Sequence, residues 1–234
     1  MCSSDLNLAI IIPAYKGAYL KRTLDSLVQQ TNKNFSVYIG DDCSPENLPD
    51  IINQYISLLN ITYKKFSDNR GKSDLISQWE RCLDMIQNEE YFILFSDDDI
   101  MEANCVEMFY QALACNHIYD VYHYNIDIID QHENITKHYT DSGHTCIRQP
   151  KEVIEDIICE KVSSSSCTKL FKKELFASLL FPEGVFFEDH AVLYKWVAMC
   201  TKVVWVDKVY YYYYQRDGSI CHTLDMNKHY HFYL

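Results

Sequence analysis

Three consecutive aspartates, Asp97, Asp98 and Asp99, are the group in this sequence best suited to chemistry. They follow a run of five apolar residues, 91–95, which predicts a strand buried on both faces and places the carboxylates at its carboxyl end. Crowded negative charges are costly unless they share a cation, and Mg²⁺ takes one or two protein carboxylates together with substrate phosphates. The triplet therefore predicts a site for a metal-bound phosphate ester, with a solvated acidic turn as the alternative.

Two further carboxylates, Asp41 and Asp42, follow a second apolar run at residues 35–40. Such side chains accept hydrogen bonds from a base or from ribose hydroxyls, and their place at the end of a strand favours this reading over a simple turn. Pro13 and Tyr15 follow the first apolar run, where an aromatic ring can stack on a base. The alternative for Tyr15 is a place in the core.

Five polar residues elsewhere in the sequence could each have either a structural or a functional role. Glu188 and Asp189 begin a predicted helix, where capping is the better reading from the residues alone and a general base is the alternative. Arg216 and Ser219 suit a diphosphate or a surface turn equally well, since an arginine fork matches phosphate oxygens. Arg70 could meet a phosphate or cap the helix that follows it.

The hydrophobic pattern of the first hundred residues predicts the elements that position these groups. Strands are predicted at residues 8–12, where Pro13 would end the strand, and at 35–40, 61–66 and 91–95, with helices at 20–28, 48–59 and 75–86. This alternation indicates α/β layering around a largely parallel sheet, in which ligands bind at the carboxyl ends of the strands. Pro13, Asp42 and Asp97 all fall at that edge.

The second half of the sequence is less regular. Helices are predicted at 102–114, 152–158 and 168–180, strands at 120–129 and 203–206, and a hairpin or loop at 130–143; an aromatic run follows at 210–214. A further helix is predicted after residue 189, up to about residue 200. Without an internal repeat or an evident linker, the pattern predicts one domain with two sub-regions.

Composition limits the classes of partner. The 234 residues are 48% hydrophobic and 23% charged, with a net charge of −12, which argues against nucleic acid as the main ligand. The ten cysteines form no CxxC or zinc-type spacing, and residues 1–13 lack the pattern of a signal peptide, so we expect a cytoplasmic protein with reduced thiols. The sequence has no GxGxxG after the first strand and no GxxxxGK[ST], which argues against dinucleotide binding and P-loop ATP hydrolysis.

Taken in order, these pieces resemble the family 2 glycosyltransferases of the GT-A fold. The similar segments are 10–15 (IIIPAY), 37–44 (VYIGDDCS), 95–100 (FSDDDI, the DXD motif), 187–189 (FED, the ED motif) and 214–219 (YQRDGS). They span essentially the whole chain. The chain departs from the family at Lys16, where Asn is usual, at Cys43, where Gly is frequent, and at Ser96, the first DXD position unless residues 97–99 are themselves the triplet.

The resemblance implies an inverting transferase that moves a sugar from a nucleotide-diphosphate donor, a UDP-sugar, to a hydroxyl of a glycan or lipid-linked saccharide. It implies a Rossmann-like, mostly parallel sheet flanked by helices. Residues 1–100 would form the nucleotide-binding half, and residues 101–234 a smaller acceptor-binding half. A role in polysaccharide synthesis follows, and a lipid-linked acceptor would bring the protein into transient contact with the inner face of the membrane.

By the same resemblance, Asp42 would contact the base and Asp97 the ribose, with Pro13, Tyr15 and Arg70 completing the nucleotide site. Mn²⁺ or Mg²⁺ would be bound by Asp98 with Asp99 beside it.

On the acceptor side, Asp189 would be the base that removes the acceptor's proton, and Glu188, Arg216 and Ser219 would lie near the diphosphate or acceptor. The rival readings are a sugar nucleotidyltransferase, for which residues 14–17 are a poor glycine-rich loop, and a non-catalytic module that binds nucleotide sugars.

Overall fold

The computed structural model describes residues 8–116, 120–139, 144–159, 161–163, 165–176 and 197–215. The first half contains β1 (Leu8–Ala14), α1 (Gly17–Val28), β2 (Ser36–Asp41), α2 (Leu48–Ile52), β3 (Ile61–Lys65), α3 (Leu75–Leu83), β4 (Tyr91–Leu94) and β5 (Ile100–Met101).

The second half adds two longer helices and several antiparallel strands. Its elements are α4 (Cys105–Asn116), β6 (Val121–Ile129), β7 (Ile135–His138), β8 (Thr145–Arg148), α5 (Pro150–Ile158), β9 (Lys169–Lys172), α6 (Lys173–Phe176) and β10 (Val203–Tyr214). A 3₁₀ turn at Ser166–Thr168 precedes β9.

One mixed sheet runs through both halves in the order β3-β2-β1-β4-β9-β6-β10-β5, with β7 beside β6 and β8 beside β10. Strands β3, β2, β1 and β4 are parallel, and β6 is parallel to β10. The antiparallel β9 lies between β4 and β6, so these two strands point the same way. The predicted α/β class with a largely parallel sheet is confirmed.

The central strands are buried on both faces because helices cover the sheet on either side. Leu20, Leu24 and Leu27 of α1 are fully buried in the core on one face, as their helical spacing predicted. On the other face, Ile76 and Trp79 of α3 pack in a second core with residues of β1, β4 and β9. These two layers hold the carboxyl ends of β1, β2 and β4 at one edge.

Some predicted element boundaries were wrong. Pro13 does not end β1, which continues to Ala14; β4 pairs with β1 only as far as Ile11, so the missing N–H of Pro13 costs the sheet no bond on that side. Helix α2 ends at Ile52 and not at residue 59 as predicted, and residues 53–58 form hydrogen-bonded turns.

Residues 169–172, predicted to be helical, form strand β9 instead. Its Leu170 and Phe171 are buried between β4 and β6, and burial in the sheet overrides local helix propensity there. In contrast, of the two readings given for residues 130–143, a hairpin or a loop, the structure has the hairpin, because β7 pairs with β6. The aromatic run 210–214 is the end of β10.

Helices long and apolar enough to cross a bilayer were not found in the part of the chain that the structure describes.

Candidate functional site

The three segments predicted to meet do so at the carboxyl edge of the sheet. β1 lies between β2 and β4, and all three strands run in the same direction. The main-chain N–H of Asp42 donates to the carbonyl of Ala14 at 2.9 Å, which joins the ends of β2 and β1. The N–H of Phe95 donates to Ile11 at 2.8 Å and joins β4 to the same strand. Sequence reasoning therefore located this edge correctly.

Asp97 fixes the loop between β1 and α1. Its Oδ2 accepts hydrogen bonds from the main-chain N–H groups of Tyr15, at 2.8 Å, and Lys16, at 3.1 Å. The Tyr15 side chain is 40% exposed at this edge, so its ring is accessible to a ligand. Pro13 lies in β1 beside Gly40 and is half-buried. The predicted ribose and base contacts of Asp97, Pro13 and Tyr15 stay predictions.

Asp98 and its neighbour are held by helix α1 through their main-chain carbonyls. Arg22 Nη2 donates to the carbonyl of Asp98 at 2.8 Å, and Thr23 Oγ1 donates to that of Asp99 at 2.9 Å. The Asp98 side chain is half-buried at the edge. Within the described ranges, no three His, Cys, Asp or Glu side chains are grouped as a metal site. A cation that takes one or two carboxylates and the oxygens of a diphosphate does not need such a group, so the hard oxygen ligands present fit Mg²⁺ or Mn²⁺.

Asp99 lies on the inner side of the same turn and is fully buried. Its Oδ1 accepts the main-chain N–H of Tyr214 at 2.7 Å, and its Oδ2 accepts the hydroxyl of Tyr211. Burial, helped by the charge of Asp98, raises the pKa of Asp99 to about 7, although the bonds from Tyr211 and Tyr214 oppose this rise. The predicted place of Asp99 as a metal ligand beside Asp98 therefore disagrees with its surroundings, because both of its oxygens face β10.

The Asp42 carboxylate holds the loop after β3. Its Oδ1 accepts from the main-chain N–H of Arg70 at 2.8 Å and from Arg81 Nη2 at 2.5 Å. Its Oδ2 accepts from Asn69 Nδ2 and from the N–H of Gly71, both at 2.8 Å. With four donors in place the carboxylate is fully used, so a fifth bond to a base would need one donor to move. The predicted base contact of Asp42 is not tested by these bonds.

Gly71 is required by this close approach. A Cβ at position 71 would lie 2.8 Å from Asp42 Oδ2, closer than side chains normally come. Arg81 reaches Asp42 from α3, and its guanidinium stacks 4.0 Å from the centroid of the Phe66 ring. Sequence reasoning missed Arg81, because it lies 39 residues from Asp42 and no local pattern joins them.

Arg70 and Asp41 are engaged within the protein. Arg70 Nε donates to Asp68 at 2.8 Å with both side chains about half exposed, so its predicted phosphate contact stays a prediction. Asp41, suggested from the sequence as a nucleotide contact, is completely buried. It accepts the N–H of Ser44 at 2.7 Å and the hydroxyl of Tyr63 at 2.6 Å. Burial and the bond to Asp41 raise the pKa of Tyr63, and this pair is structural.

The remaining predicted site residues, Glu188, Asp189, Arg216 and Ser219, lie outside the described residues. Sequence reasoning also missed Arg22, Tyr211 and Tyr214. The one signal for the tyrosines was the run at 210–214, whose hydroxyls need partners when buried.

Comparison with known proteins identifies relatives of this chain. The sequence model of the family described as "Glycosyl transferase family 2" matches residues 9–180. Glycosyltransferase GlyG of Streptococcus pneumoniae serotype 4 is 26% identical over 226 residues, which cover 92% of this chain and 73% of GlyG. Glycosyltransferase GlyA of the same organism is 25% identical over 231 residues, 92% of this chain but 32% of GlyA.

Solved structures show the same fold. S. aureus TarS 1–349 in complex with UDP-GlcNAc superposes with a TM-score of 0.74 at 21% identity, covering 91% of this chain and 59% of that one. GalNAc-T7 with UDP, GalNAc and Mn²⁺ superposes with a TM-score of 0.66 at 14% identity, covering 90% and 44%. This chain thus spans less than two thirds of either structure.

Proposed function

Since this chain belongs to glycosyltransferase family 2 and is a glycosyltransferase with the GT-A fold, we propose that it transfers a sugar from a UDP-sugar to an acceptor hydroxyl with inversion. The observation that carries the donor assignment is the meeting of Tyr15, Asp97 and Asp98 at one edge, with Asp97 bonded to the N–H of Tyr15. That edge is where ligands bind in open α/β sheets. The TarS structure with UDP-GlcNAc supports a uridine nucleotide as the donor class.

The nucleotide would lie across the ends of β1 and β2. Tyr15 offers an exposed ring for stacking on the base, while Asp97 keeps the loop that carries it in place. Asp42 and Arg81 hold the loop at residues 69–71, which would border the nucleotide on the side of β2. These side chains bind and orient; their own charges change little during transfer.

The diphosphate would leave on the side of Asp98. A divalent cation held there by Asp98 would neutralise the charge that develops on the departing diphosphate. Arg216 and Ser219 would add a guanidinium fork and a hydroxyl for the same oxygens. Glu188 would lie near the diphosphate or the acceptor.

The acceptor hydroxyl would attack from the opposite side. Asp189 would take its proton as the hydroxyl oxygen bonds to the anomeric carbon and the bond to the diphosphate breaks, through a state resembling an oxocarbenium ion. One carboxylate opposite the leaving group gives in-line displacement and inversion. The acceptor would be a glycan or a lipid-linked saccharide, in polysaccharide synthesis, and a lipid-linked acceptor would bring the enzyme to the membrane surface.

Thermal stabilisation by nucleotides tests the donor assignment. The protein is heated with UDP, GDP, UDP-GlcNAc, UDP-glucose or GDP-mannose, each with and without Mn²⁺. We expect a UDP compound with Mn²⁺ to raise the melting temperature, since a ligand that binds only the folded state stabilises it. The Asp98→Asn variant should lose the part of the shift that depends on Mn²⁺.

A second measurement separates this reaction from its rival. Slow release of UDP from the stabilising UDP-sugar is the expected side reaction of a transferase without its acceptor. Release of pyrophosphate from UTP and a sugar 1-phosphate would instead indicate a nucleotidyltransferase. If no nucleotide shifts the melting temperature with Mn²⁺ present, the donor site is wrong.

A further inference from the structure

Residues 97–99 form an acidic turn, and a completely buried carboxylate is its least expected feature. Asp99 is 0% exposed, whereas Asp97 and Asp98 beside it are half-buried at the sheet edge. Burying a carboxylate is costly unless hydrogen bonds satisfy it. The buried Asp99 must therefore make hydrogen bonds inside the protein that Asp97 and Asp98 do not need.

Both oxygens of Asp99 are used to bind the far end of β10. The N–H of Tyr214 donates to Oδ1 at 2.7 Å, and the hydroxyl of Tyr211 donates to Oδ2. The Tyr211 ring is held in turn by an edge-to-face contact with Phe95, at 5.5 Å between centroids. Asp99 and Tyr211 are 112 residues apart in the chain, and the carboxylate joins the turn before β5 to β10, the strand beside β5.

Helix α1 ties the same turn from the other side. Arg22 and Thr23 donate to the main-chain carbonyls of Asp98 and Asp99, at 2.8 and 2.9 Å. The guanidinium of Arg22 lies 4.2 Å from the centroid of the Tyr214 ring, which links α1 to β10 as well. The backbone of Asp98 is therefore fixed between α1 and β10.

From these contacts we propose that Asp99 is a positioning residue: it anchors the acidic turn to β10 through Tyr211 and Tyr214, and thereby fixes where Asp98 presents its carboxylate to the metal and diphosphate. This inference rests on the proposed function and refines it, because it removes Asp99 from the set of metal ligands. Asp98, aided by the substrate oxygens, would hold the cation.

The test compares two ways of breaking the same bond. Asp99→Asn, Tyr211→Phe and the double variant are titrated with Mn²⁺ in the presence of UDP, and the free-ion signal is followed by electron paramagnetic resonance. Tyr212→Phe is the matched control, since it removes a hydroxyl that donates to Glu102 at 2.9 Å from the adjacent position of the same strand. Melting temperature and circular dichroism are recorded for every variant.

We expect both single variants to weaken Mn²⁺ binding by about tenfold, the low end of the usual effect of losing a partner that orients a metal ligand. The double variant should bind Mn²⁺ no more weakly than Asp99→Asn alone, because Tyr211 acts on the turn through Asp99. Tyr212→Phe should bind like the unchanged protein. A purely structural role would lower the melting temperature without changing Mn²⁺ affinity in the folded protein.

Two results would overturn this inference and leave the proposed function intact. If Asp99→Asn abolishes binding while Tyr211→Phe leaves it intact, Asp99 is a ligand. If the unchanged protein binds Mn²⁺ with UDP and both single variants match it, the anchor has no bearing on the site. Should the unchanged protein fail to bind Mn²⁺ with UDP at all, the proposed donor site falls and this inference falls with it.

Discussion

Arg70, in the loop at residues 69–71, and Arg81, beside that loop, differ in burial, and burial determines how much an ion pair contributes to stability. Arg81 pairs with Asp42 at 2.5 Å, and their side chains are only 12% and 5% exposed. Arg70 pairs with Asp68 at 2.8 Å, but there both side chains are about half exposed. Removing one member of a buried pair leaves an uncompensated charge, whereas an exposed pair is replaced by water.

We therefore expect Arg81→Gln to lower the free energy of unfolding by about 2 kcal/mol, which is less than the roughly 3–5 kcal/mol for a fully buried pair because some solvent access remains. Arg70→Gln, the matched control, should leave the free energy of unfolding nearly unchanged, because water replaces an exposed ion pair. Urea denaturation of both variants measures the difference. Equal effects would show that the burial of Asp42 does not set the strength of its pairing.

Asp98, proposed as the metal ligand, and Asp189, proposed as the general base, should affect different measured properties when they are replaced. Asp189→Asn should lower kcat by about 10²–10⁴-fold, the usual contribution of a general base, and leave Mn²⁺ and UDP binding unchanged. Asp98→Asn should weaken binding of Mn²⁺ with UDP. Glu188→Gln is the neighbouring control for Asp189 and should cost less in kcat. If Asp189→Asn keeps full activity, another group removes the acceptor's proton.

At the scale of elements, Asp156 attaches helix α5 to its surroundings. It accepts from Arg148 of β8 at 2.6 Å and from Lys161 at 3.0 Å. Burial opposes its ionisation, but the bonds from Arg148 and Lys161 outweigh burial and lower the pKa of Asp156 below 3.8. A carboxylate whose pKa is lowered by folding stabilises the folded state while it is ionised.

We expect Asp156→Asn to lower the free energy of unfolding by about 1 kcal/mol at pH 7. This difference should be present above the unfolded pKa and should shrink as the pH falls below 3.8, because protonation of Asp156 then abolishes the pairs in the unchanged protein as well. Glu155→Gln is the control, since Glu155 pairs with Lys151 at 3.8 Å and both are exposed. A difference that persists undiminished at pH 3 would mean that charge is not the cause.

The elements that could be predicted from the sequence are those whose pattern and surroundings agree. Helix α3 was found because Ile76, Trp79 and Cys82 repeat at helical spacing and face the core. Strand β9 was missed because its local pattern favours a helix, and only its place between β4 and β6 makes it a strand. Short strands such as β5 and β8 depend on partners far along the chain and carry little pattern of their own.

At the scale of the whole molecule, the contacts of the site that join distant parts of the chain could not be predicted either. Parallel strands bring Tyr15, Asp42 and Asp97 to one edge, so their meeting followed from the strand pattern alone. The contacts that hold them did not, because the partner of Asp42 is 39 residues away and that of Asp99 is 112 residues away. Sequence patterns locate the edge of a sheet, but tertiary packing determines which side chains form hydrogen bonds and ion pairs with the residues there.

The net charge of the whole chain would affect binding of the proposed donor. The molecule carries a formal charge of −12, and Asp42, Asp97 and Asp98 lie at the edge where an anionic nucleotide would bind. Without a cation, the field should therefore oppose UDP. Salt screens such repulsion, because the Debye length falls from about 30 Å at about 10 mM to about 8 Å at about 150 mM ionic strength.

We expect metal-free UDP to bind more tightly as NaCl rises from about 10 to about 150 mM, and binding with Mn²⁺ to gain less from the same change. Asp98→Asn should strengthen metal-free UDP binding yet remove the gain from Mn²⁺, since it deletes a repulsive charge and a ligand together. Glu155→Gln in α5 changes the net charge equally without removing a metal ligand, so it should strengthen metal-free UDP binding by a smaller amount and leave the gain from Mn²⁺ in place. Calorimetric titration measures each affinity; if salt weakens metal-free binding instead, local cations rather than the net charge govern the approach of the donor.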